Sequence, residues 1–296
     1  MKTLLIRLTP CALALTLLTS APAIAQKSEV TGTGASFPAQ VYVQWAADYT
    51  RQTGFALSYR PAGSSAGVKS VADRTADFGA TDVPLPQKEL DQKGLFQFPT
   101  LVGGIVPFVN LAGIGPGQLK LDAPPLARIW SGDIARWNDP AIRALNPGPN
   151  LPNLPIQRVV RSDGSGTTSL FVDYLRTAAA AQASAIVADG GRAKWPGNPV
   201  GVDGSSKMVA AVKATPGAIG YVSSDYVVRD QLSGVALLNR RGEYVKPDLP
   251  ALKATIVASG LFKNQLDPAS LLNVDGPGVW PIASATYILV PRDPAS

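Results

Sequence analysis

The sequence predicts an α/β protein of two lobes, and three observations carry that reading. Strand-forming and helix-forming runs alternate along the chain, the pattern of a sheet flanked by helices. Three short Gly/Ser/Thr loops, within 31–38, 62–67 and 161–168, each open straight into a helix-like run. Two long apolar strands, at 101–111 and 284–291, stand far apart, as chain crossings between two lobes require. Ligands of α/β folds collect at the carboxyl ends of strands, and three loops that each open into a helix suit one shared anion pocket.

Taken in order, residues 1–25 read as a secretory signal: Lys2 and Arg7 at the start, an apolar run from Ala12 to Leu18, and Ala23-Ile24-Ala25 as a small-x-small cleavage site. The run is too short and too interrupted to span a membrane. Cys11 precedes most of that run, which argues against a lipid-anchored cysteine. Removing this segment leaves 25 basic and 21 acidic side chains, no Cys and no His. An exported chain without cysteine has no disulfides and relies on its core. Without His or Cys it offers no ordinary zinc site and no Ser-His-Asp or Cys-His nucleophile system. Its basic residues are scattered, with no Lys/Arg run interleaved with aromatics, so nucleic acid is not an expected partner.

In the first loop, Ser36 is a candidate N-cap and Pro38 suits a first helical turn. Val41, Trp45 and Tyr49 recur at spacing four, and Gly54 is a helix stop. A strand at 55–59 leads to Gly63-Ser64-Ser65-Ala66-Gly67 and a helix through Val71. This is not a nucleotide-binding phosphate loop, since Val68 separates Gly67 from Lys69. A buried strand then ends at Asp82, which reads either as an ordinary loop carboxylate or as an acceptor beside an anion site.

Helices and strands alternate again from 126–137 onward, with an Ala-rich helix expected around 176–188, a capped helix at 205–214 and a strand at 217–222. The fullest signal is Arg161-Ser162-Asp163-Gly164-Ser165-Gly166-Thr167-Thr168, between a strand-like run at 156–160 and a helix-like run at 169–175. Its backbone N–H groups, hydroxyls and guanidinium suit an oxyanion. A plain Gly-rich turn with a capped helix fits the same residues, and three such loops in one chain favour a shared anion pocket.

Thr-Gly-Thr-Gly-Ala-Ser-Phe-Pro at 31–38, Gly-Ser-Ser-Ala-Gly-Val-Lys at 63–69 and Asp-Phe-Gly-Ala-Thr-Asp at 77–82 resemble the periplasmic phosphate-binding proteins of high-affinity phosphate ABC transporters. So do Gly-Leu-Phe-Gln-Phe-Pro-Thr at 94–100, Arg-Ser-Asp-Gly-Ser-Gly-Thr-Thr at 161–168 and Pro-Gly-Ala-Ile-Gly-Tyr-Val at 216–222. The resemblance implies a type II fold of two α/β lobes closing over one dehydrated phosphate, with 26–107 plus 284–296 as one lobe and 108–283 as the other. It implies that Ser36, the Phe37 N–H, Ser64, Asp82, Arg161, Ser165, Gly166 and Thr167 hold phosphate and that Asp163 orients Arg161. Asp82 would accept the ligand's hydrogen, and Ser36 stands where the family often has Thr. Family members usually continue for some tens of residues past the second crossing strand, with helices that complete the first lobe, so the sequence reads here as either a fragment or an unusually short form. The implied role is a monomeric periplasmic receptor, not an enzyme, with no cofactor, that serves a permease and an ATPase subunit. A receptor for another tetrahedral oxyanion is the alternative, and an exported phosphatase a more remote one.

Overall fold

The computed structural model describes residues 29–148, 150–189, 191–261 and 271–293; the expected signal segment and Cys11 lie outside them. The chain begins β1 (Glu29–Gly34), α1 (Ala39–Thr53), β2 (Ala56–Pro61), α2 (Ser64–Ala72), β3 (Phe78–Thr81) and α3 (Gln87–Lys93). A long strand follows, β4 (Leu95–Val109). Next come β5 (Lys120–Leu121), α4 (Ala123–Ser131), α5 (Pro140–Leu145), β6 (Gln157–Arg161), α6 (Gly166–Ala178) and α7 (Ala180–Ala183). The hairpin β7 (Val187–Asp189) and β8 (Arg192–Lys194) leads to β9 (Val200–Val202), α8 (Gly204–Ala214), β10 (Ala218–Ser223) and α9 (Ser224–Arg229). The chain closes with β11 (Ser233–Gly234), β12 (Ala236–Leu238), β13 (Tyr244–Val245), α10 (Leu249–Ser259) and β14 (Ala283–Pro291).

One sheet path, β2-β1-β3-β14-β4-β10-β6-β9, ties these elements together. The pivot is β4. Nine of its first ten residues pair antiparallel with β14, from Leu95↔Pro291 to Gly104↔Ala283, and its next five pair with β10, from Ile105↔Ser223 to Val109↔Ile219. On one side β1, β2 and β3 run parallel; on the other, β10, β6 and β9 do. Two parallel arrays therefore meet through one antiparallel pair of crossing strands.

The larger core lies in the second array, around Trp130, Phe171, Tyr221 and Trp280, all fully buried. The first array holds two smaller clusters, one on each face of its sheet. Helix α1 corrects one sequence expectation. Its buried face is Ala39, Tyr42 and Ala46, while Trp45 and Tyr49 are 49% and 47% exposed. Tyr59 and Phe78 already project from the sheet beneath, stacked with each other, so the helix descends on small residues with Tyr42 set edge-on to Tyr59 at 5.0 Å. The Ala-rich helix is also shorter than expected: α7 ends at Ala183, and Val187–Asp189 pairs as a hairpin strand.

Candidate functional site

Five strands deliver their carboxyl ends to one place. β1 leads to Ser36 and Phe37, β2 to Ser64, β3 to Asp82, β6 to Arg161 and β9 to Ser205. All eight residues singled out from sequence as ligand-holding are buried, and Asp163 is partly so.

Gly63 sets the first side of the site. It has φ 93°, and a Cβ there would lie 2.5 Å from Asp163 Oδ2 and 2.8 Å from the Gly164 carbonyl, so only glycine fits. Ser64 then starts α2, and its Oγ accepts the Gly166 N–H at 3.1 Å and the Asp82 N–H at 3.3 Å. Both bonds use the oxygen's lone pairs and leave its O–H free to donate.

Opposite stands the start of α6. Ser165 caps the helix by accepting the Thr168 N–H at 3.2 Å, while its own N–H donates to the Gly191 carbonyl of the β7–β8 turn at 2.7 Å. Thr167 Oγ1 donates to Asp82 Oδ2 at 3.2 Å. Beneath, Tyr221 ties the turn to the core: its hydroxyl meets Thr168 Oγ1 at 2.8 Å and accepts the Arg161 N–H at 3.4 Å.

Arg161 faces Asp163 as a fork, with Nε donating to Oδ1 at 2.5 Å and Nη2 to Oδ2. Asp163 Oδ1 also accepts the Gly204 N–H at 3.1 Å, which fixes the start of α8. Burial pushes the Asp163 carboxyl up, but the hydrogen bond and charge of Arg161 with the Gly204 N–H outweigh it, and the net effect is below the usual carboxylate range.

Ser36 is not the helix cap expected from sequence. Helix α1 begins at Ala39, with Pro38 in the cap position and no side-chain cap bond. Its Oγ instead reaches Ser205 of α8, meeting Ser205 Oγ at 2.9 Å and accepting the Ser205 N–H at 3.2 Å. The Phe37 carbonyl accepts Ser223 Oγ at 3.0 Å, and its ring joins the larger core.

Asp82 is the electrostatic centre, 1% exposed. Burial raises its pKa to about 6, against lowering by bonds from Thr286 and Thr167 and by the charge of Arg161. The start of α2 meets Asp82 through Ser64 and that of α6 through Thr167, and both supply positive helix ends, while the start of α8 meets Asp163 and Ser36. The arrangement is a buried cluster of donors around one anionic acceptor, suited to an oxyanion that carries a proton. Among the described residues, no group of three or more His, Cys, Asp or Glu could hold a metal ion.

Two residues escaped the sequence reading. In sequence Ser205 reads only as the cap of a helix at 205–214, although Asp203-Gly204-Ser205-Ser206 is a fourth small-residue loop opening into a helix. Thr286, which donates to Asp82 Oδ1 at 2.8 Å, has no local signal, because its place depends on strand register.

The family model described as a PBP superfamily domain matches residues 19–296. A phosphate-binding protein PstS from Xylella fastidiosa (strain Temecula1 / ATCC 700964) is 40% identical over 265 residues, which are 89% of this chain and 72% of that protein. The solved phosphate-binding protein from Stenotrophomonas maltophilia has TM-score 0.66 and 24% identity, covering 90% of this chain and 79% of its own. The high-affinity periplasmic phosphate-binding protein PfluDING, solved with phosphate, has TM-score 0.67 and 20% identity, covering 88% and 80%. With crossing strands joining two parallel arrays, and with relatives of this kind over nearly its whole described length, the chain belongs to the PstS phosphate-binding family of the PBP superfamily and has its two-lobed type II fold.

Proposed function

We propose that this protein binds inorganic phosphate, dehydrated, between its two lobes and delivers it to the permease and ATPase subunits of a phosphate ABC transporter. It acts as a monomeric periplasmic receptor exported by its N-terminal segment, and not as an enzyme. Residues 26–107 with 284–296 form one lobe and 108–283 the other, which agrees with the change of β4 partner between Gly104 and Ile105. The observation that carries the reading is one buried carboxylate, Asp82, set among donors from both arrays.

Arg161 supplies the cationic fork, held in plane by Asp163. The N–H groups of Phe37, Gly166 and Thr167 and the hydroxyls of Ser36, Ser64 and Ser165 complete the donor set, and the Thr167 hydroxyl joins it by leaving Asp82 Oδ2 to the ligand's own hydrogen. Asp82 decides selectivity. Monohydrogen phosphate donates its hydrogen to the carboxylate, whereas sulfate has none and leaves two anions facing each other. Sites built on one specific hydrogen bond reject the wrong ligand by about 10⁴-fold.

Removing the site's cation tests the reading. Arg161→Ala is expected to abolish calorimetric phosphate binding while circular dichroism shows a folded protein. Retained tight binding would place the anion elsewhere.

A further inference from the structure

The crossing strand β14 does more than join the lobes. It pairs antiparallel with β3 at Tyr287↔Thr81, so the next residue back, Thr286, falls level with Asp82 just beyond the end of β3. On its other side, β14 meets an irregularity in β4. Thr286 pairs with Leu101 and Tyr287 with Pro99, so Thr100 is an extra residue. Thr100 Oγ1 fills the gap by donating to the Thr286 carbonyl at 3.2 Å. Bulges of this kind re-aim a side chain.

The result is a fully buried hydroxyl aimed at a carboxylate. Thr286 is 0% exposed and donates to Asp82 Oδ1 at 2.8 Å, and Ser284 Oγ holds the Asp82 carbonyl at 3.3 Å. Oδ2 lies on the α6 side, where it accepts from Thr167. The two Asp82 oxygens therefore have different neighbours, one fixed by the crossing strand and one shared with the candidate site.

We propose that Thr286 is a positioning residue for ligand selection, which ties down Oδ1 so that Oδ2 alone is presented to the ligand, as an ionised acceptor. The inference rests on the phosphate-binding reading above. A hydroxyl that donates to the charged carboxylate favours that form over the protonated one. The burial of Asp82, with its pKa raised to about 6, means that losing this donor matters near neutral pH. The other titratable or charged groups facing Asp82 are Arg161 from β6, Tyr42 from α1 and Tyr59 from β2. Both tyrosines are raised above their usual range by burial and stay neutral throughout the test.

The experiment measures sulfate binding against pH in wild type, Thr286→Val and Thr286→Ser, with phosphate binding as the control. Protonated Asp82 becomes a donor and accepts sulfate, so sulfate binding emerges as pH falls. In Thr286→Val it emerges about one unit higher, so sulfate binds about tenfold tighter at a fixed intermediate pH. Thr286→Ser restores the wild-type profile. An unchanged sulfate profile in Thr286→Val, with wild type binding phosphate normally, overturns the role of Thr286. A wild type that binds no phosphate overturns the reading beneath it instead. Should Thr286→Val not fold, the Thr286 hydroxyl proton in wild type decides the matter by NMR. Its shift follows the Asp82 titration if the bond sets the carboxylate, and a shift flat with pH contradicts it.

Discussion

Asp82 pays for selectivity in stability. Its folded pKa of about 6 lies above the ordinary 3.8, so the folded protein holds the proton more tightly than the unfolded chain does. That contribution is fully present below the unfolded value and is lost as pH rises through about 6. At pH 8 the ionised carboxylate then costs on the order of 3 kcal/mol. Asp82→Asn is expected to stabilise the ligand-free protein by about 1–3 kcal/mol at pH 8, a gain discounted for the new amide's own hydrogen-bonding needs. The gap should close toward pH 4, as urea denaturation at both values will show; an equal gap at both contradicts the buried-charge account. Asp163 works in the opposite sense, since its lowered pKa contributes stability at neutral pH that fades as acid protonates it. Sequence made these two carboxylates visible through their loops, Asp-Phe-Gly-Ala-Thr-Asp and Arg-Ser-Asp-Gly-Ser-Gly. The opposite direction of their shifts was not legible, because it depends on which donors surround each one.

Elements place these residues by close approach. Helix α2 lies so near β1 and β3 that a Cβ on Gly67 would sit 2.5 Å from the Ala80 carbonyl and 2.7 Å from Gly34 Cα. Both neighbours are backbone and cannot rotate away. Gly67→Ala is expected to cost about 1–3 kcal/mol in urea unfolding and to weaken phosphate binding by shifting Ser64. A wild-type midpoint would mean that α2 has room to move. The starts of α2 and α6 were legible, because Gly and Ser before an apolar periodic run mark a strand-to-helix turn. The face of α1 was not, since the rows Val41-Trp45-Tyr49 and Tyr42-Ala46 lie side by side at the same spacing. Only the aromatic rings of Tyr59 and Phe78 beneath decide between them. For the same reason Thr286 was invisible: a crossing strand could be read from its apolar run, but not its register or the extra residue in its partner.

In the molecule as a whole, both parallel arrays aim their carboxyl ends at one site, and contacts such as Ser64–Gly166, Ser36–Ser205 and Asp82–Thr167 run directly between them. A ligand held by both sides binds only the folded, assembled pair. Phosphate at 100 times its Kd should therefore raise unfolding stability by about 2.7 kcal/mol, read as a higher Tm, and sulfate should leave it unchanged. Equal shifts from both anions would mark a general ionic effect. The most direct test of the central claim is a calorimetric titration of the wild-type protein at neutral pH, first with phosphate and then with sulfate. The account predicts one tight phosphate site per chain and no measurable sulfate binding. Comparable affinity for the two anions would contradict it, because a buried ionised Asp82 in the site cannot accept both alike.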